Sequence, residues 1–85
     1  MRQFQYTVQV PHGLHGRPAM QLVQLVTSLD SQVTVERDGQ SCNAAGLMAL
    51  MLLDVQQGQT VTIKIEGGQE AENQKKLETF FAENL

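Results

Sequence analysis

The sequence predicts an α+β fold in the order βαββαβα, one sheet covered by helices on one face and open to water on the other. Three observations carry this expectation. Each confident strand-like segment alternates apolar and polar residues, the signature of a half-buried strand. Segments with apolar residues at helical spacing lie between them. Pro11-His12-Gly13, Asp38-Gly39, Gln56-Gln57-Gly58 and Gly67-Gly68 punctuate the elements as turns. With 85 residues, the chain has room for one core, so residues 1–85 are expected to form a single domain.

Taken in order, residues 3–10 place Phe4, Tyr6, Val8 and Val10 on one face and Gln3, Gln5, Thr7 and Gln9 on the other. From Arg17 to about Leu29, the residues Ala19, Leu22, Val23, Val26 and Leu29 fall at helical spacing, with Met20 and Leu25 off that stripe. Val33 and Val35 alternate with Gln32, Thr34 and Glu36. Asp38-Gly39 then reads as a two-residue hairpin turn, because both positions tolerate φ > 0. The return strand runs from about Gln40 to Asn43, and a second helix from about Leu47 to Leu53 with Gly46 as N-cap. Val61, Ile63 and Ile65 mark a fourth strand. The final helix is expected to turn Ala71, Leu77, Phe80 and Phe81 inward, with Glu70 and Glu72 suiting the dipole at its start.

Composition narrows the function classes. The net charge of −3 argues against nucleic acid. Acid is concentrated in residues 54–85, whereas Arg2, Arg17 and Arg37 balance Asp30, Glu36 and Asp38 before them. No stretch approaches the length of a membrane span, and Gln3 and Gln5 interrupt any secretory apolar region. A single cysteine, Cys42, excludes an internal disulfide and fits a reduced, cytoplasmic setting as a small packed residue. Two histidines and one cysteine without paired spacing give no metal site, and no cofactor is expected.

The stretch that carries chemistry is Gly13-Leu14-His15-Gly16-Arg17-Pro18-Ala19. Pro18 belongs in the first turn of a helix, so His15 lies at or near the N-cap. The first N–H groups of a helix lack intrahelical partners, and the dipole there is positive. Arg17 adds a planar positive fork suited to phosphoryl oxygens. Gly16 lets a ligand approach the backbone. The surroundings of His15 are therefore expected to be positive. An imidazole nucleophile beside such a pocket points to phosphorylation of His15; the alternative is a solvated N-cap histidine with no chemistry. A third possibility, an enzyme using His15 as nucleophile, lacks a visible second acid or base.

The seven residues 13–19 resemble the active-site signature of the HPr family, the histidine-containing phosphocarriers of the bacterial sugar phosphotransferase system. The likeness continues through Asn43-Ala44, Gly46-Leu47-Met48, Gly58 and Gly68-Gln69-Glu70, and so covers essentially the whole chain. It implies an open-faced β-sandwich with three helices over a four-stranded antiparallel sheet. It implies a phosphoryl group carried on Nδ1 of His15, received from phosphoenolpyruvate-charged enzyme I and passed to an enzyme IIA domain. The protein would then be a carrier and not an enzyme, with the backbone at Gly16 and Arg17 and the Arg17 side chain stabilising the phosphoryl oxygens. Pro18 and His12 would stand behind this first layer. His12 is the lesser candidate for modification, and many relatives have asparagine or another small or polar residue there.

The second helix is apolar nearly all round, through Leu47, Met48, Leu50, Met51, Leu52 and Leu53. It is either a core helix with some surface apolar area or a docking patch. By resemblance the contact residues are Met20, Leu47, Met48 and Met51. The likeness also has departures. Gly46 stands where many Gram-positive members carry a regulatory serine, so there is no hydroxyl to phosphorylate. Gln24, Thr27, Ala45 and Ala49 stand where lysines are frequent, which weakens steering toward acidic partners. Gly16 replaces the commoner Ala or Thr and is expected to loosen the helix start slightly. These departures point to a specialised paralogue serving one pathway, or to a phosphocarrier from a lineage lacking serine control. The competing function is a regulatory adaptor of the same fold that acts mainly through protein binding. The protein is expected to be a monomer.

Overall fold

The computed structural model describes residues 1–85. Its elements are β1 (Arg2–Thr7), α1 (Arg17–Thr27), β2 (Gln32–Arg37), β3 (Gln40–Asn43), α2 (Leu47–Leu53), β4 (Thr60–Glu66) and α3 (Glu70–Asn84). The strands form one antiparallel sheet in the order β1-β4-β2-β3. The predicted order and the open-faced layering are both present.

The register turns the alternation of the sequence into two faces. Phe4, Ile63, Val35 and Cys42 line up across the four strands. Their neighbours Gln5, Thr62, Glu36 and Ser41 form the next row. Side chains alternate along each strand, so the first row meets the helices and the second meets water. On the wet side Lys64 Nζ lies 3.0 Å from Glu36 Oε1, a surface pair of little weight. The hairpin joining β2 and β3 has φ of 50° at Asp38 and 80° at Gly39, as its two-residue turn requires.

Each helix puts two or three side chains into one core. Leu22 and Val26 of α1, Leu50 and Leu53 of α2, and Leu77 and Phe81 of α3 pack with Val33, Val35, Val61, Ile63 and Ile65. Phe81 is fully buried and meets Phe4 and Phe80 edge-on, with centroids 6.0 and 5.8 Å apart. No helix is long and apolar enough to cross a membrane.

Three boundaries or orientations differ from the sequence pattern. β1 ends at Thr7, not at Val10. The Val8 N–H instead bonds the Gln59 carbonyl, and the Val10 N–H bonds the Leu85 carbonyl at 3.2 Å, so the alternating residues beyond Thr7 belong to a loop. α1 ends at Thr27, because the N–H groups of Ser28 and Leu29 bond three residues back, closing a tighter final turn. Ala71 is exposed, and Asn73 is the residue buried in the first turns of α3. The Asn73 amide donates to Asp30 Oδ1 and to Ser31 Oγ, both at 2.7 Å, and this polar anchor takes the inward face that the apolar pattern assigned to Ala71.

Candidate functional site

The site lies on the loop between β1 and α1, and two glycines shape that loop. Gly13 has φ of 67°, and a Cβ there would lie 2.1 Å from the Val55 carbonyl oxygen. The same carbonyl accepts from the Leu14 N–H at 3.0 Å, and the Leu14 side chain is wholly buried. The loop is thus pinned to the segment preceding β4 immediately before His15. Gly16 then turns the chain into α1 at φ 59° and ψ −127°, a conformation that residues with a Cβ rarely adopt. It stands outside the helix as N-cap, so the expected loosening of the first turn does not arise. What Gly16 contributes is the turn itself.

Arg17 and Pro18 open α1, and no side chain caps it. Pro18 has no N–H to satisfy. The Met20 N–H bonds the Gly16 carbonyl at 3.0 Å, completing the first helical bond. His12, Gly13, His15, Gly16, Arg17 and Pro18 line one open groove with Val10 beside them. Arg17 is exposed and takes part in none of the four ion pairs of the chain. His12 is exposed at the groove wall.

His15 is half-buried, and its ring has a partner that the sequence pattern did not reveal. Nε2 lies 3.0 Å from Oδ1 of Asp54. Asp54 is the C-cap of α2 and adopts the left-handed conformation, with φ 56° and ψ 52°. The Gln56 amide donates to the same carboxylate oxygen at 2.6 Å. The surroundings of His15 are therefore mixed in charge, with Arg17 and the helix start near in sequence and a carboxylate on the ring. Asp54 is 39 residues away along the chain. The only local signal for it was an acidic residue at a helix end where glycine or asparagine is preferred.

α1 and α2 pack against one another and leave apolar side chains in water. Met20 is 51% exposed, Leu47 38%, Met48 70% and Met51 40%. Leu52, outside the expected contact set, is 77% exposed. Gly46 is the N-cap of α2 and lacks a side chain to cap it. The preceding turn is held instead by Asn43, whose Oδ1 accepts from the Ala45 N–H at 2.8 Å. No group of three or more His, Cys, Asp or Glu side chains is placed to hold a metal ion. Burial pushes the Cys42 thiol up from its ordinary value, the direction of a packed thiol.

A helix-covered antiparallel sheet with a histidine and an arginine at the start of its first helix defines a class of small phosphocarrier domains. Residues 2–83 match the family model described as the PTS HPr component phosphorylation site, and the chain belongs to the HPr family. It is 37% identical over 76 residues to the HPr-like protein Crh of Halalkalibacterium halodurans, covering 89% of this chain and 90% of that protein. It is 37% identical over 70 residues to the phosphocarrier protein HPr of Buchnera aphidicola, covering 82% of each. HPr-C-His from Thermoanaerobacter tengcongensis superimposes with a TM-score of 0.88 at 37% identity, covering 100% of both chains. An HPr dimer from the same organism superimposes at 0.76 with 35% identity, covering 98% of this chain and 95% of the other.

Proposed function

We propose that this protein carries a phosphoryl group on His15, received from phosphoenolpyruvate-charged enzyme I and handed to an enzyme IIA domain. The observation that carries the reading is the placement of His15 and Arg17 on one groove at an uncapped helix start. In this role His15 is the nucleophile. The Arg17 guanidinium and the N–H groups at the helix start hold the phosphoryl oxygens during in-line transfer. A phosphoramidate on imidazole stays reactive enough to be passed on, where a serine ester would be too stable. Gly16 keeps the approach to the backbone open, and Pro18 sets the first turn. His12 stands at the groove wall as a second layer.

Docking falls to Met20, Leu47, Met48 and Met51, whose flexible apolar side chains suit more than one partner surface. The protein acts as a monomer in the cytoplasm and needs no cofactor. The dimeric HPr among its structural relatives makes the oligomeric state worth measuring by sedimentation.

A second reading, a regulatory adaptor, draws support from the similarity to the HPr-like protein Crh. A pure adaptor has no physical need for a nucleophile beside an anion groove. Incubation with phosphoenolpyruvate and enzyme I separates the two. The carrier gains one acid-labile, alkali-stable phosphoryl group that His15→Ala abolishes and His12→Ala largely retains. Full labelling of the His15→Ala protein overturns the assignment.

A further inference from the structure

We infer that Asp54 is a positioning residue for His15: its carboxylate holds the ring proton on Nε2 and leaves the lone pair of the neutral ring on Nδ1, facing the incoming phosphoryl group. The inference rests on the reading of His15 as phosphoryl acceptor. A carboxylate accepts hydrogen bonds and donates none, so the 3.0 Å contact with Asp54 Oδ1 requires the proton on Nε2. The carboxylate is itself held, because the Gln56 amide donates to the same oxygen at 2.6 Å. The backbone of Asp54 is left-handed at φ 56°, a conformation that glycine or asparagine adopts more readily. An aspartate there accepts some local strain and places an acid on the ring.

The transfer step then needs no proton movement. The Nδ1 lone pair forms the N–P bond, and the bond between phosphorus and the donor atom breaks, its electron pair leaving with the donor. The proton stays on Nε2. The ring, now substituted at both nitrogens, carries positive charge beside the Asp54 carboxylate, which offsets it. Asp54 thus acts before the step by fixing the ring and during it by stabilising the product charge.

The test compares the wild type with Asp54→Gly and Asp54→Asn, both compatible with the left-handed backbone, with thermal melts to check folding. Imidazole ¹⁵N spectra of the unphosphorylated proteins, at a pH where the ring is neutral, read the tautomer. The rate of labelling from enzyme I reads the chemistry. The wild type shows a single form with the proton on Nε2. Asp54→Gly shows a tautomer mixture and labels about two- to fivefold more slowly, the scale of a solvent-accessible charged pair. Asp54→Asn, which keeps an acceptor oxygen, restores the single tautomer and part of the rate. An unchanged His15 spectrum in Asp54→Gly overturns the inference, whatever the rate does, because Asp54 would then not act through the ring. An unchanged or faster rate overturns it equally. A wild type that labels normally while the variants match it removes only the role of Asp54. A wild type that does not label removes the carrier reading and this inference with it.

Discussion

Two glycines flank His15, and they are required for different reasons. At Gly13 both the backbone angle and the space exclude a side chain, since a Cβ would overlap the Val55 carbonyl. At Gly16 the space is open and only the angle excludes one. Gly16→Ala therefore costs about 1–3 kcal/mol of backbone strain. Gly13→Ala costs that and a displaced loop besides. Thermal melts of the two variants are expected to rank Gly13→Ala as the less stable, and the reverse order would contradict the loop geometry. Gly46 differs again: it caps α2 without a side chain, so incubation with an HPr kinase and ATP yields no acid-stable phosphoserine. Intact mass after such an incubation checks this. The position of His15 at a helix start was legible from the Gly-x-x-Gly-Arg-Pro pattern, because proline and glycine report backbone geometry locally. Asp54 was not legible, because its meeting with His15 depends on how the end of α2 lies against the loop.

At the scale of elements, α2 has seven residues, six of them leucine or methionine divided between the core and water. Leu50 and Leu53 are buried, whereas Met48 and Met51 are exposed. Met48→Glu and Met51→Glu are expected to melt close to the wild type. Phosphoryl transfer from enzyme I should slow, because a charge buried in an apolar contact without a partner costs about 1–3 kcal/mol. A collapsed melt would place these methionines in the core, and unchanged transfer would move the docking surface elsewhere. The β2–β3 hairpin turn and β4 were readable from strict alternation and Asp-Gly turn chemistry, which are local signals, and β2 and α2 to within about a residue. The start of α3 was not. Its apolar residues are too sparse to fix the inward face, and a polar bond from Asn73 to Asp30 fixes it instead.

That polar anchor gives α3 a pH dependence. The Asn73 amide, followed by the Gln69 N–H, holds the Asp30 carboxyl below its ordinary value. The Gly67 N–H, followed by the N-terminal ammonium, does the same for Glu70. Carboxyls that titrate lower when folded bind fewer protons than in the unfolded chain. Their contribution is therefore fully present above the ordinary carboxylate range, near pH 4. It fades as pH falls through the lowered values. Thermal melts across acid pH should show stability dropping there, and Asp30→Asn should flatten the drop. A wild-type melt that is constant down to pH 2.5 or a variant with the same acid profile would contradict the anchor.

At the scale of the whole molecule, the open sheet and its three helices support one loop and one exposed helix pair. Seventeen buried residues form a single core beneath them. The N–H groups of Gln9 and Val10 donate to the Leu85 backbone oxygen, which ties the end of α3 to the loop that leads into the site. Under the proposed function, this scaffold supplies His15 as nucleophile, the groove beside Arg17 for the phosphoryl oxygens and the exposed methionines for docking. Carriage is tested most directly by a hand-off. The protein is phosphorylated by enzyme I and phosphoenolpyruvate, freed of both, and mixed with an enzyme IIA domain, while intact mass follows both proteins. The phosphoryl group is expected to leave His15 as an equal amount appears on the acceptor, with little released as inorganic phosphate. Loss of the group to water with none gained by the acceptor would contradict carriage.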